Sequence, residues 1–153
     1  MVTIKLASDI RGEAEAVFDT LADLRGYGRW LGNSAAYAGT ADISSDPVAA
    51  GTTYVEPGPT GVRRGTVTEF DRPTRVAFHQ PMTMRPRLLG VIDIHVRYTL
   101  TEADGTVHLE RVVTLTFGWP LRLLRAAVVP QFRRESERTM RALKAHVEAT
   151  AAR

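Results

Sequence analysis

The chain contains no cysteine among its 153 residues. That excludes disulfides, thiolate nucleophiles and every metal centre built on sulfur. Lysine is scarce too. Lys5 and Lys144 are the only two, so arginine supplies nearly all the positive charge behind the net +3. A bias of this kind reads as a GC-rich genome rather than as a polyanionic ligand. The densest basic cluster, Arg122, Arg125, Arg133, Arg134, Arg138 and Arg141, is interrupted by Glu135 and Glu137. Glu137 and Arg141 have the i,i+4 spacing of an exposed helical ion pair. The cluster therefore reads as a solvated helix face, with an acidic membrane surface or a nucleic acid as the alternative.

Aromatic residues make up only 7% of the chain, and no run of them offers the exposed stacking platforms of a single-strand binder. No apolar run approaches the roughly 18 residues of a bilayer span. The first residues, Met1 to Leu6, alternate like a strand and lack the apolar block of a signal peptide. The expectation is a cytoplasmic protein with no nucleic-acid partner and no integral membrane association. Catalytic fingerprints are missing as well: there is no G-x-S-x-G elbow, P-loop or Rossmann motif. Gly26-x-Gly28 is a fragment within a turn.

What the chain does have is an ordered succession of apolar patterns. A length of 153 residues suits one domain, residues 1–153, that buries roughly 68–70% of its unfolded surface. Val2, Ile4 and Leu6 share one face of a first strand. From Gly12 the period becomes helical, with Ala14, Val17, Phe18 and Leu21 on one stripe and Glu13 and Glu15 at the positive end of the dipole. Leu24, Tyr27, Trp30 and Leu31 make a second short helical turn. Strand-like stretches follow at about 35–43, 51–56, 62–71, 74–82, 90–102 and 106–118, separated by Pro, Gly and Asp clusters. Asp104-Gly105 marks the clearest hairpin.

The last two strands can be read face by face. Ile92, Ile94, Val96, Tyr98 and Leu100 form one buried row, and Val107, Leu109, Val113, Leu115 and Phe117 form the other. Arg111 interrupts the second row. A guanidinium there has three readings: turned outward by a β-bulge, paired with a buried acid, or facing a cavity where it meets a polar group on a ligand. A final helix from about Leu121 to Ala149 carries Leu124, Val128, Phe132, Ser136, Met140, Leu143 and Val147 inward, with a kink or break expected just before Pro130. The expected fold class is α+β: a curved antiparallel sheet of about seven strands around a long C-terminal helix, with two short helices after strand 1. An apolar cavity would lie between sheet and helix.

This order of elements resembles the helix-grip, START-like (SRPBCC) superfamily. The matching segments are Glu13-Ala14-Glu15-Ala16-Val17-Phe18, Tyr27-Gly28-Arg29-Trp30, Gly65-Thr66-Val67-Thr68-Glu69-Phe70-Asp71-Arg72-Pro73 and Tyr98-Thr99-Leu100-Thr101-Glu102. The group includes bacterial polyketide cyclase/dehydrase-like and lipid-transfer proteins and plant proteins of the birch-pollen-allergen type. The resemblance implies a cavity for a lipid- or polyketide-like ligand, and the fold does not by itself decide between binding and catalysis.

Three functional readings follow. The first is a binder of a small hydrophobic or aromatic molecule, with Trp30, Tyr54, Phe78, Met82, Met84, Tyr98, Arg111, Phe117 and Phe132 as candidate ligand contacts. Met82 and Met84 belong to a segment, Gln80 to Arg87, read as a loop at the pocket mouth. The second is a cyclase, aromatase or dehydratase using Tyr54, Tyr98 and Arg111 as its polar groups. The third is an interaction module like the chaperone activators that share the fold, with an exposed apolar patch. No residue is assigned a catalytic role, no cofactor is expected, and the oligomeric state is left open, a dimer included. The four histidines suggest no metal, because none are spaced like zinc ligands along the chain. Asp93, His95 and His79 could form a surface acid–base group on the outer face of the sheet.

Overall fold

The computed structural model describes residues 1–153. Strand β1 (Val2–Arg11) is followed by helix α1 (Ala14–Ala22) and a 3-10 turn, Leu24–Arg29. Then come β2 (Thr53–Gly58), β3 (Gly61–Asp71), β4 (Arg75–His79), β5 (Met82–Met84), β6 (Val91–Ala103) and β7 (Thr106–Phe117). A second 3-10 turn, Leu121–Leu124, leads into α2 (Arg125–Ala151). The sheet is antiparallel throughout, in the order β1-β7-β6-β4-β3-β2, with β5 pairing with both β3 and β6. This is a helix-grip fold: one sheet, one long terminal helix against it, and two short helical segments after the first strand.

The alternation of β6 and β7 translates directly into burial. Ile92, Ile94, Val96, Tyr98 and Leu100 are all buried, as are Val107, Leu109, Val113, Leu115 and Phe117. Residue 111 stays in register, opposite Tyr98 on β6 and Leu6 on β1, so no bulge turns it outward.

Seven strands were expected and seven form, but they are not the same seven. The segment 35–43 is not a strand. Its only ladder contact is a single bridge from Ala41 to Val55. Gly39 and Asp42 take positive φ, which breaks the pleat, and Ser34 hydrogen-bonds to the backbone amides of Ala36 and Tyr37 in its place. The stretch 74–82 divides in two at Gln80-Pro81, because proline cannot donate to the ladder. Met82–Met84, expected as loop, is thus a short strand.

Pro130 also behaves differently from expectation. The α-helix runs through it without a break, and the irregularity lies earlier, where the 3-10 turn gives way to α2 at Leu124. Pro130 is the sixth residue of α2, past the first four whose N–H groups have no intrahelical partner, so it removes one bond of the ladder, to the Ala126 carbonyl, without interrupting the helix. The change of helical phase at Leu124 also alters the inward stripe. Leu121 is buried and Leu124 is 47% exposed, whereas Ser136, Met140, Leu143 and Val147 point into the core as expected. The i,i+4 pair of Glu137 and Arg141 does not form. Arg138 instead reaches back one turn to Glu135 at 2.7 Å.

Polar contacts fix α2 to the first strand. The Arg11 backbone N–H donates to Glu148 at 2.9 Å, and Lys144 Nζ donates to the Asp9 carbonyl at 2.8 Å.

Candidate functional site

Between the sheet and the first half of α2 lies a mainly apolar cavity of about 180 Å³. β6 and β7 contribute Ile94, Val96, Tyr98, Arg111 and Val113 to its wall, and β2 to β4 contribute Tyr54, Glu56, Arg63 and Phe78. Met82 and Met84 come from β5, and Val128, Phe132, Ser136 and Thr139 come from α2. Leu24, Tyr27, Leu31 and Tyr37 complete it from the segment after α1.

Of the nine expected contacts, Tyr54, Phe78, Met82, Met84, Tyr98, Arg111 and Phe132 line this space. Trp30 does not. Its ring packs 5.0 Å from that of Tyr27, and it is Tyr27 that faces the cavity. Trp30 is the cap that follows the turn Leu24–Arg29, and its backbone (φ −127°, ψ −23°) leaves the 3-10 path that would have stacked its ring over Tyr27. Phe117 is also off the cavity, buried at the end of β7 where it pairs with Ile92.

Aromatic rings form a continuous wall. Tyr54 and Phe78 meet edge-to-face with centroids 6.1 Å apart, and Phe78 and Tyr98 do the same at 6.4 Å. The Tyr54 ring lies over Gly65, its partner on β3, and the Tyr54 hydroxyl donates to Gln80 Oε1 at 2.8 Å. A β-carbon at residue 65 would collide with that ring. Gly65→Ala is therefore expected to cost about 1–3 kcal/mol as an overpacking change and to break the Tyr54–Gln80 contact. Denaturant unfolding and tyrosine fluorescence would check both effects.

Burial pushes the phenols of Tyr54 and Tyr27 well above their usual range, so both stay neutral and can donate hydrogen bonds. Tyr27 already does so, to the Leu21 carbonyl at 2.6 Å.

Two guanidiniums reach the cavity, and they are held differently. Arg63 lies opposite Glu56 in the β2–β3 register and donates to its carboxylate at 3.0 Å, with both side chains buried. Arg63 was not legible in the sequence, because neither strand reveals its register alone. Arg111 has no carboxylate partner. Its Nη1 donates to the Tyr98 hydroxyl, its guanidinium carbon lies 5.2 Å from the Tyr98 ring centroid, and its Nε is buried without a partner. Of the three readings for Arg111, the cavity-facing placement is the observed one.

At the helix side, Glu135 accepts hydrogen bonds from Arg138 and from the Ser34 hydroxyl, the latter at 2.9 Å. Burial opposes its ionisation, but these hydrogen bonds outweigh it and hold the carboxyl below the usual range.

On the outer face of the sheet, His79, Asp93 and His95 come together. His79 and His95 are cross-strand partners with rings stacked 4.2 Å apart. Their Nε2 atoms contact the two oxygens of Asp93 at 2.6 and 3.2 Å. Strand parity places all three on this outer face, and the β4–β6 register brings His79 beside His95. One ligand atom from each of the three side chains lies within 4.8 Å of the others, and holding a divalent cation there would require the imidazole nitrogens that face it to be unprotonated.

The His79 hydrogen bond holds the Asp93 carboxyl below its usual range. A depressed carboxylate contributes stability that is present above its unfolded pKa and lost as pH falls through the folded one. Asp93→Asn should therefore lower the melting temperature in the neutral region, where the carboxylate contributes, and leave it nearly unchanged at low pH, so that the acid limb of the profile flattens. An acid limb identical to that of the unmodified protein would show that the cluster contributes nothing.

Comparison with known proteins agrees with this geometry. Residues 1–148 match the family described as "Polyketide cyclase / dehydrase and lipid transport". No curated protein sequence matches the chain. Solved structures share the fold at low identity. A protein from Mesorhizobium loti is 14% identical with a TM-score of 0.74, the match covering 97% of this chain and 98% of that one. The Aha1 dimer from Colwellia psychrerythraea is 16% identical with a TM-score of 0.69, covering 97% of each chain. A START superfamily protein from Mycobacterium smegmatis is 12% identical with a TM-score of 0.67, covering 97% and 98%. With the sheet, the gripping helix and nearly the whole sequence in agreement, the chain belongs to the polyketide cyclase/dehydrase and lipid-transport family.

Proposed function

We propose that the chain, acting as one ligand-binding domain, encloses a small apolar or aromatic molecule carrying an anionic or strongly hydrogen-bond-accepting group. The observation that carries this reading is Arg111: a guanidinium on an apolar cavity wall with one phenol for company and no acid to neutralise it. Leaving such a charge unpaired is costly, and a carboxylate, phenolate or enolate on the ligand would offset that cost with a fork-matched pair. An apolar cavity of about 150 Å³ accommodates benzene, so 180 Å³ gives room for a compact ring system.

The test is native mass spectrometry of freshly purified protein, followed by thermal shifts with 1-naphthoate, 1-naphthol and naphthalene. The expected order of stabilisation is naphthoate above naphthol above naphthalene. If no small molecule co-purifies and none of the three raises the melting temperature, the reading fails.

A second reading is catalytic. Tyr98 and Arg111 converge on one point of the cavity wall, which is the arrangement a cyclase or aromatase needs to polarise a carbonyl while the walls fold a flexible substrate. Turnover of a cavity-sized polyketide analogue, lost in Tyr98→Phe with binding retained, would favour it over simple binding.

A further inference from the structure

Five of the six large apolar side chains left exposed by the fold lie in two short segments. Leu88 and Val91 belong to the connection from β5 into β6, and Trp119, Leu123 and Leu124 to the connection from β7 into α2. The two segments are neighbours at one end of the sheet. Ile92 pairs with Phe117 just inside them, and the Gly118 N–H donates to the Val91 carbonyl at 3.4 Å. Leu88 is 77% exposed and Trp119 71%, values that solvated surfaces rarely give to neighbouring residues of these types.

The charges around this patch are all of one sign. Arg85, Arg87, Arg122 and Arg125 stand exposed in the same two segments, and none forms an ion pair. Elsewhere on the surface Arg11, Arg25, Arg29, Arg72, Arg75 and Arg97 each reach a carboxylate. Arg64, Arg133, Arg134, Arg141 and Arg153 are exposed without one but lack exposed large apolar neighbours in their own segments. No aspartate or glutamate occurs in residues 84–92 or 117–134. The basic residues at 122 and 125 thus belong to a different surface from the salt-bridged helix face around Glu135.

We propose that this end of the protein docks on an anionic lipid surface. Tryptophan and leucine suit the boundary between headgroups and acyl chains, and unpaired arginines suit the phosphates of an acidic leaflet. A second copy of the same face fits badly, since a two-fold contact would bring four unpaired arginines against four more. The patch also adjoins the cavity. Met84, on the cavity wall, immediately precedes Arg85, and Val128, also on the wall, lies one turn after Arg125. Docking goes beyond the ligand reading and does not depend on it.

The experiment is co-sedimentation of the full chain with vesicles of phosphatidylcholine alone and of phosphatidylcholine with about 30% phosphatidylglycerol, at low and at physiological salt. Affinity for the anionic vesicles should exceed that for the neutral ones by roughly tenfold or more, and should weaken as salt rises. Trp119→Ser/Leu123→Ser and Arg87→Glu/Arg122→Glu should each abolish the difference while retaining the unmodified melting temperature. Arg141→Glu/Arg153→Glu, a reversal of the same size at exposed sites on the far half of α2 and just beyond it, should keep most of the binding. Equal binding to both vesicle types would overturn the proposal, as would equal loss in Arg141→Glu/Arg153→Glu and the patch variants. So would a dimer that dissociates in Trp119→Ser/Leu123→Ser, because the face would then belong to a second copy.

Discussion

Replacing Arg111 by leucine is expected to leave the fold intact while weakening an anionic cavity ligand by tenfold or more. Both halves follow from the same geometry. In the ligand-free protein the guanidinium stands on an apolar wall without a carboxylate, so its removal relieves an uncompensated charge. Exchanging buried ionic groups for apolar ones of similar volume is often neutral or stabilising by about 1–4 kcal/mol. The Tyr98 hydroxyl loses its partner in that variant, which sets part of the gain aside. With ligand bound, hydrogen bonds to a charged group contribute about 1.5–3 kcal/mol, or roughly ten- to a hundredfold in affinity. Arg111→Lys should recover only part of this, since an ammonium keeps the charge but loses the planar fork. Calorimetric titration with 1-naphthoate, beside denaturant unfolding of each variant, separates the two quantities. A variant that unfolds several kcal/mol more easily would make Arg111 a structural residue. One that binds naphthoate as tightly as before would remove it from the site.

How much of this was legible in the sequence depends on where a side chain's position is decided. The β6 and β7 rows are decided locally, by a period of two sustained over five positions each, and every one of those residues is buried as the pattern requires. The anomaly at 111 was visible for the same reason. A break is conspicuous only against a regular row. The cavity's second guanidinium was not legible, because Arg63 meets Glu56 through the β2–β3 register, which depends on a turn at Thr60 rather than on either strand's composition. The His79–Asp93–His95 group was legible in part: parity put the three on the outer face, and the β4–β6 register then sets His79 opposite His95. Trp30 and Leu124 were misplaced by a single cause: each caps a helical segment with backbone angles (φ −127°, ψ −23° and φ −101°, ψ 8°) that depart from the helix, so a periodic stripe cannot be carried through them. Residues 35–43 failed for a different reason. Their composition permits a strand, but positive φ at Gly39 and Asp42 commits the backbone to a loop that no apolar pattern encodes.

Leu143→Ala should be the most destabilising of the simple truncations in α2, and the comparison with Leu123→Ala tests the helix assignment itself. Leu143 has no solvent exposure and sits in the stripe with Met140 and Val147 that closes the core against the sheet. Its truncation loses the transfer free energy of the side chain and leaves a cavity that close-packed neighbours fill only in part, a cost of about 2–5 kcal/mol. For a domain of this size that lowers the melting temperature by roughly 4–20 °C. Leu123 is the same residue type, but 72% of it is in solvent, so its truncation should stay within about 0.5 kcal/mol. Leu124→Ala makes the sharper comparison, because helical periodicity alone would place residue 124 on the buried stripe. With the 3-10 turn ahead of α2 exposing it, its loss should be well below that of Leu143. Denaturant midpoints measured for all three at constant m-value decide the matter. Comparable losses at 143 and 123 would mean that α2 presents a different face to the sheet. A loss at 124 matching that at 143 would mean that regular helix begins upstream of Arg125, with Leu124 turned inward.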